Sequence, residues 1–396
     1  MKNILPRICF LLILLSSACQ PSKETITETK ESVPSDELKL NYEALSDMII
    51  ERAALQPGER VILVANPALF DTLSLLLKRK IIGAKAEYLG TFSVTADLPE
   101  EWVTDFTRQA SGKSGKALAD HFMTIDLGIM LPGSDTTHAP YAAMQKVLRS
   151  GRGRTIHFHW AGAYRMNGGI LPRSEQLDQL YQTALLQTDY QKLSAQQIAF
   201  EKAARSNKIR ITTPAGTDIQ FMIGERPVTR QDGDASKKRS EAARNLIDRE
   251  MELPAGAIRV APLEESVSGK IAFPPMMWGG SMVDGLLMEF QAGKVVKVEA
   301  NKGLEAVHSE LEKAGPSASY FREMAVGFNP WLGVPEIGPQ WIPYYGYGAG
   351  VIRLSLGDNT ELGGKISGGY VRWNFFTDAT LTIGDEVWIK DGRMVH

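Results

Sequence analysis

The sequence predicts two successive folding patterns: an α/β N-terminal domain with a mostly parallel sheet, then an α+β C-terminal domain with antiparallel sheet. Three observations predict them. Up to Pro172, short continuous aliphatic runs alternate with stretches of helical spacing, as in strand–helix–strand units. Helical spacing then persists from residue 175 to 207. Beyond it, pairs of short apolar segments flank turn-forming tetrapeptides, the pattern of hairpins. At 396 residues, 43% hydrophobic and 23% charged, the chain has ordinary globular composition, and at roughly 150 residues per domain it holds two or three domains.

The elements follow in order. Residues 40–55 have helical apolar spacing that stops at Pro57-Gly58, and residues 60–66 form an aliphatic run of buried-strand type. A helix is expected over 68–80 and a strand over 86–89. Strands over 124–131 and 155–160 enclose a helix over 141–149. In the second half, residues 210–213 and 218–223 flank Pro214-Ala215-Gly216-Thr217, and 286–290 and 295–299 flank Gln291-Ala292-Gly293-Lys294. A smaller hairpin closes through Asp391-Gly392. The expected division is 38–200 for the α/β domain and 201–396 for the α+β domain.

The N-terminus carries an address. Lys2 and Arg7 precede an apolar run at 8–15 that is too short to span a bilayer and reads as the core of a signal peptide over 1–18. Leu15-Ser16-Ser17-Ala18-Cys19 resembles a bacterial lipobox, with Ser16 in place of the usual leucine, so Cys19 is the expected lipidation site. Residues 19–37 are polar and poor in aliphatic side chains, the composition of a flexible tether. The implied location is the bacterial cell envelope, on the outer membrane in a Gram-negative host. Cys9 and Cys19 are the chain's two cysteines, which excludes disulfides, thiolate zinc sites and a cysteine nucleophile downstream. A net charge of −2 offers no field for nucleic acid.

Several motifs fail on inspection. Ser111-Gly112-Lys113-Ser114-Gly115-Lys116 lacks the earlier glycine of a P-loop, and Gly279-Gly280-Ser281 lacks the later glycine of a nucleophile elbow. His157 and His159 alternate on a strand and share a face. No nearby carboxylate has matching spacing, so a structural role is expected of the pair. The aromatic stretch 338–348 either lines a ligand cleft or is a packed loop, and the same alternatives hold for Trp278 and Trp373.

Thr213-Pro-Ala-Gly-Thr-Asp218, Leu253-Pro-Ala-Gly-Ala-Ile258 leading to Ala261-Pro262, Ser266-Val-Ser-Gly269, Phe321-Arg-Glu-Met-Ala-Val-Gly-Phe-Asn-Pro330, Leu354-Ser-Leu-Gly357 and Asp391-Gly392 follow one another in an order that resembles the thermophilic metalloaminopeptidases of the T and S types. The resemblance spans about 40–395, including Pro57-Gly58-Glu59-Arg60, and implies an aminopeptidase T-like fold and a homodimer. That family binds two metal ions through two glutamates, two histidines and an aspartate, with a tyrosine nearby, and releases N-terminal residues from peptides.

Carried over, the second glutamate is Glu323, but Ala257 stands for the first glutamate, Arg353 for a histidine, and Arg372 and Asn374 for the His-x-Asp pair. Thr360 stands for the tyrosine. Glu264 and Glu265 replace the first glutamate only if their loop is rearranged. An arginine has no lone pair for a metal. The resemblance therefore implies former metal-site positions, no expected metal or other cofactor, and Glu323 paired with one or both of Arg353 and Arg372. The spare cation is expected to face an anion, a carboxylate on a small molecule or peptide, with Arg353, Arg372, Trp373 and Thr360 as contacts. Two functional readings stay open: a homologue without metal, with a binding or altered catalytic role, or an active metallo-aminopeptidase with two zinc, cobalt or manganese ions that recruits His157, His159 or His308.

Overall fold

The structure, a computed structural model, describes residues 40–160, 163–336 and 340–396. The signal peptide, the lipobox with Cys19 and the tether lie outside the described residues.

A five-stranded parallel sheet forms first, in the order Glu87–Ser93, Arg60–Ala65, Leu127–Met130, Arg154–His157, Glu250–Glu252. Its second strand, Arg60–Ala65, lies inside the sheet and is aliphatic after Arg60 because both faces are covered. Val61, Leu63 and Ala65 enter the main core with the helices Tyr42–Ala53 and Asp71–Gly83. Ile62 and Val64 enter a second core with Phe122, Tyr141 and Met144. The period-two alternation of a strand thus feeds two cores from one run. Helices Asp105–Ala110 and Gly115–Phe122, which the sequence analysis did not anticipate, close this second face.

The expected helical stretch 175–207 is two helices, Glu175–Gln187 and Tyr190–Ser206. The break falls at Thr188 and Asp189, whose side chain caps the second helix by accepting from the Lys192 amide at 3.0 Å. After it the three expected hairpins form, all within an eight-stranded antiparallel sheet. A further five-stranded antiparallel sheet runs Val371–Phe376, Ile352–Gly357, Phe321–Gly327, Ala257–Val260, Val228–Gln231.

The two halves interlock. Strand Glu250–Glu252 comes from beyond residue 201 yet completes the parallel sheet, and the described residues cluster as one compact unit. A buried ion pair sits where they meet. Arg154 grips Glu59 with both ends of its guanidinium, at 2.7 and 2.8 Å. Its remaining donors reach the carbonyls of Ala53 at 3.2 Å and Ala235 at 2.7 Å. One side chain thereby ties the first helix, the Pro57-Gly58-Glu59 turn and the second half together. Burial pushes the Glu59 carboxyl up, but its bonds to Arg154 and the Gln56 amide outweigh that and hold it below its usual range.

Removing one partner of a buried pair strands the other. Arg154→Leu is therefore expected to lower stability by about 3–5 kcal/mol, read from urea denaturation followed by circular dichroism; a loss within ~0.5 kcal/mol would show that this pair does not fasten the halves.

Candidate functional site

The second five-stranded sheet places the site. Cross-strand partners share a face, and register sets Thr229 and Gln231, Ala257 and Arg259, Glu323, Ala325 and Gly327, Arg353 and Ser355, and Trp373 and Phe375 on the same one. Glu323 is the centre. It is fully buried, and burial alone would raise its carboxyl, but the guanidiniums of Arg259, Arg322 and Arg353 hold it well below the usual carboxylate range.

Both carboxylate oxygens are committed. Oε1 accepts from Arg353 Nη2 at 2.9 Å and Ser355 Oγ at 3.3 Å. Oε2 accepts from Arg259 Nη2 at 3.0 Å and Nε at 3.3 Å, with Arg322 Nη1 at 3.4 Å. Ala325 lies between Arg259 and Arg353 across the sheet, and its methyl leaves room for both guanidiniums to converge. Glu361 adds a second carboxylate, paired with Arg322 and, at 3.3 Å, with Arg259. Burial disfavours the charge of Arg259, but Glu323 and Glu361 outweigh it and raise its pKa. For Arg353 burial prevails over Glu323, with Arg259 and Arg322 pushing the same way, and its pKa falls. The face of Arg353 lies 4.6 Å over the Trp373 ring, a cation–π contact, and its Nη1 donates to the Tyr345 carbonyl at 3.1 Å.

Ala257, Glu323 and Arg353 therefore share one face, with Arg353 on Glu323 and Ala257 opposite Gly327, four residues further along the strand. Arg372 and Asn374 do not share it. Strand alternation turns them to the opposite face, and the residues beside Arg353 and Ser355 are Phe375 and Trp373. Arg372 pairs instead with Glu310 at 2.6 Å, donates to the Met277 carbonyl at 2.6 Å and lies 3.5 Å over the Trp278 ring. Of the two arginines expected to pair with Glu323, one or both, Arg353 does and Arg372 is turned away by this register. Asn374 donates to the Leu354 carbonyl at 3.0 Å within the sheet. Thr360 binds Asp358 through its amide and hydroxyl, at 2.9 and 2.6 Å. Glu264 is taken by Arg226, by Asn359 at 3.1 Å and by the Lys365 amide at 2.8 Å, so it anchors its loop rather than replacing the first glutamate.

Sequence reasoning missed Arg259, Arg322 and Glu361. A signal existed for the first: Arg259 is two residues beyond Ala257 on a strand and must share its face. It also missed the carboxylates beside the histidines. His157 lies 3.3 Å from Glu252 and 3.8 Å from Glu250, on the neighbouring parallel strand. Burial lowers the pKa of His157, but Glu250 and Glu252 outweigh it and raise it. That of His159, stacked on it at 5.1 Å, falls to about 4 through burial and the neighbouring imidazole. The aromatic stretch packs: Trp341, Tyr344 and Tyr347 are buried, and the Tyr344 hydroxyl donates to the Leu253 carbonyl at 2.7 Å.

A metal ion does not fit the Glu323 donor set. Its one carboxylate is saturated by cations, and Ala257, Arg353, Trp373 and Phe375 offer no lone pair suited to a divalent ion. Among the described residues, no group of three or more His, Cys, Asp or Glu is arranged to hold one.

Residues 187–330 match the family model of thermophilic metalloproteases (M29), a span that includes Ala257, Arg259, Arg322 and Glu323. The fold is similar to that of wild-type AmpT from Thermus thermophilus, with TM-score 0.55 and 18% identity over 90% of this chain and 99% of that one. It is also similar to 2,5-dihydroxypyridine dioxygenase from Pseudomonas putida KT2440, with TM-score 0.59 and 14% identity over 90% of this chain and 98% of that one. A comparison with curated protein sequences gives no match. The chain thus has an aminopeptidase T-like fold and resembles the thermophilic metalloaminopeptidases.

Because Glu323 has a depressed folded pKa, its contribution to stability is fully present above the ordinary glutamate value near ~4.3 and is lost as pH falls below it. Glu323→Gln is expected to lower stability at neutral pH by about 3–5 kcal/mol and to flatten the decline toward acid, read as urea midpoints across pH. Equal acid slopes in variant and wild type would show that the three arginines do not set this carboxylate.

Proposed function

We propose that the protein is a metal-independent homologue of the aminopeptidase T-like fold, an envelope lipoprotein anchored through Cys19 that binds a carboxylate-bearing small molecule or peptide. The observation that carries the metal-independent part is the collar of Arg259, Arg322 and Arg353 on Glu323. In a two-metal hydrolase the cations polarise water and stabilise the oxyanion. Here guanidiniums supply the positive charge, and they neither ionise water nor carry an open coordination position. One similar fold is that of a dioxygenase, so the architecture is not tied to peptide hydrolysis.

The binding part rests on the excess of donors over acceptors. Arg322 Nε and Arg353 Nε are buried without a hydrogen-bond partner, as is Trp373 Nε1. The anchoring part rests on the N-terminal sequence, and homodimer formation on the resemblance alone.

A second reading, an active metallo-aminopeptidase, is favoured by the M29 match. It requires histidine ligands away from Glu323. His157 is already engaged by Glu252 and by Thr155 Oγ1 at 3.0 Å, and His308 stands on the separate helix Leu304–Ala314.

Metal content and peptidase activity decide between them. The full-length protein, purified in detergent without chelator, is expected to carry far less than one zinc, cobalt or manganese per chain by mass spectrometry of the elements. It is expected to release no N-terminal residues from peptide amides with any of these ions or magnesium added. About two metals per chain with chelator-sensitive release would establish the second reading.

A further inference from the structure

We infer that the cleft of about 690 Å³ lined by Arg149, Arg244, Arg249 and Arg322 is a binding site for a small oxyanion, a polycarboxylate or a phosphate ester, which neutralises those of its arginines that have no acidic partner among the described residues. The inference rests on the binding reading above but not on the absence of metal.

Arg149, Arg244, Arg249 and Arg322 contribute to the walls of this cleft, against the two carboxylates Asp358 and Glu361. Neither acid is free to balance them. Asp358 accepts from the hydroxyl and amide of Thr360 and from the amides of Gly368 and Gly369, at 2.6 to 3.0 Å. Glu361 is already paired with Arg322 and Arg259. Among the described residues, the side chains of Arg149 and Arg244 have no carboxylate within ion-pair distance, and Arg249 has the Gly153 carbonyl at 3.2 Å.

The second observation is independent of this charge count. Arg322 is 1% exposed, yet its Nε lacks a hydrogen-bond partner and its Nη1 has the Glu323 ion pair at 3.4 Å but no hydrogen bond, and the buried Nδ2 of Asn245, which also lines the cleft, has no partner either. Buried donors without acceptors are costly, and a fixed arginine fork matches oxyanion geometry. The unmet groups at this cleft are all donors, so the complement is a group rich in acceptor oxygens. The volume lies in the range of sites for small molecules. Thr360, expected from the resemblance to contact a ligand, lines the same cleft.

The test is calorimetric titration of the full-length protein with citrate and, separately, with pyrophosphate, alongside elemental analysis so that the metal question is answered on the same sample. At least one probe is expected to bind with Kd below about 1 mM; the tighter one identifies a carboxylate or a phosphate ligand. The double variant R149Q/R244Q is expected to weaken that binding at least about tenfold with an unchanged melting curve, because neither exposed side chain makes a contact the fold uses. K294Q/K297Q, an equal charge change on the separate strand Lys294–Glu299, is expected to leave binding as in the wild type. Failure of both probes to bind, wild-type affinity in R149Q/R244Q, or an equal loss in K294Q/K297Q would each overturn the assignment.

Discussion

A carboxylate without access to water, held by three guanidiniums, is the constraint on which the centre of this molecule depends. Transferring Glu323 to the interior as an anion carries a penalty of several kcal/mol, offset only if opposite charges and hydrogen bonds meet both of its oxygens. Arg259, Arg322, Arg353 and Ser355 do so from three neighbouring strands, so the cluster favours the register in which those side chains meet. The surrounding sequence conforms. Ala325 is small where two arginines converge, Trp373 offers a ring face to Arg353, and Glu361 takes up part of the remaining charge.

On the proposed reading, that arrangement also explains how an aminopeptidase T-like architecture stands without metal ligands at Glu323. Where the related family holds anionic and imidazole ligands around divalent cations, this chain keeps one anion and brings the cations in as side chains. In the proposed metal-independent reading, the electrostatic balance of the centre is kept without a Lewis acid. The cost is a surplus: three arginines face Glu323 and Glu361, and two further cleft arginines have no acidic partner among the described residues. The proposed binding role follows from that surplus.

Much of this was legible in the sequence, and the rest was not for identifiable reasons. The parallel sheet and the three hairpins follow from aliphatic runs and turn residues, which are local signals. Helices Asp105–Ala110 and Gly115–Phe122 escaped because the glycines and lysines of 112–116, between them and at the start of the second, drew attention as a phosphate motif. Glu323 with Arg353 was readable from motif order. Arg372 and Asn374 were misplaced because a motif aligned in one dimension says nothing about which face of a strand it meets, and one residue of slip reverses every side chain. Glu250 and Glu252 were invisible as partners of His157, since they lie some 95 residues away and meet it only through a parallel pairing. Arg322 and Glu361 joined the cluster through tertiary packing that no spacing announces.

The most direct test of the account is a crystal structure grown in excess zinc and measured on both sides of the zinc absorption edge. The account predicts guanidinium density from Arg259 and Arg353 within hydrogen-bond distance of Glu323 and no anomalous peak there. An anomalous peak on the Glu323 carboxylate, with the arginines turned away, would contradict it.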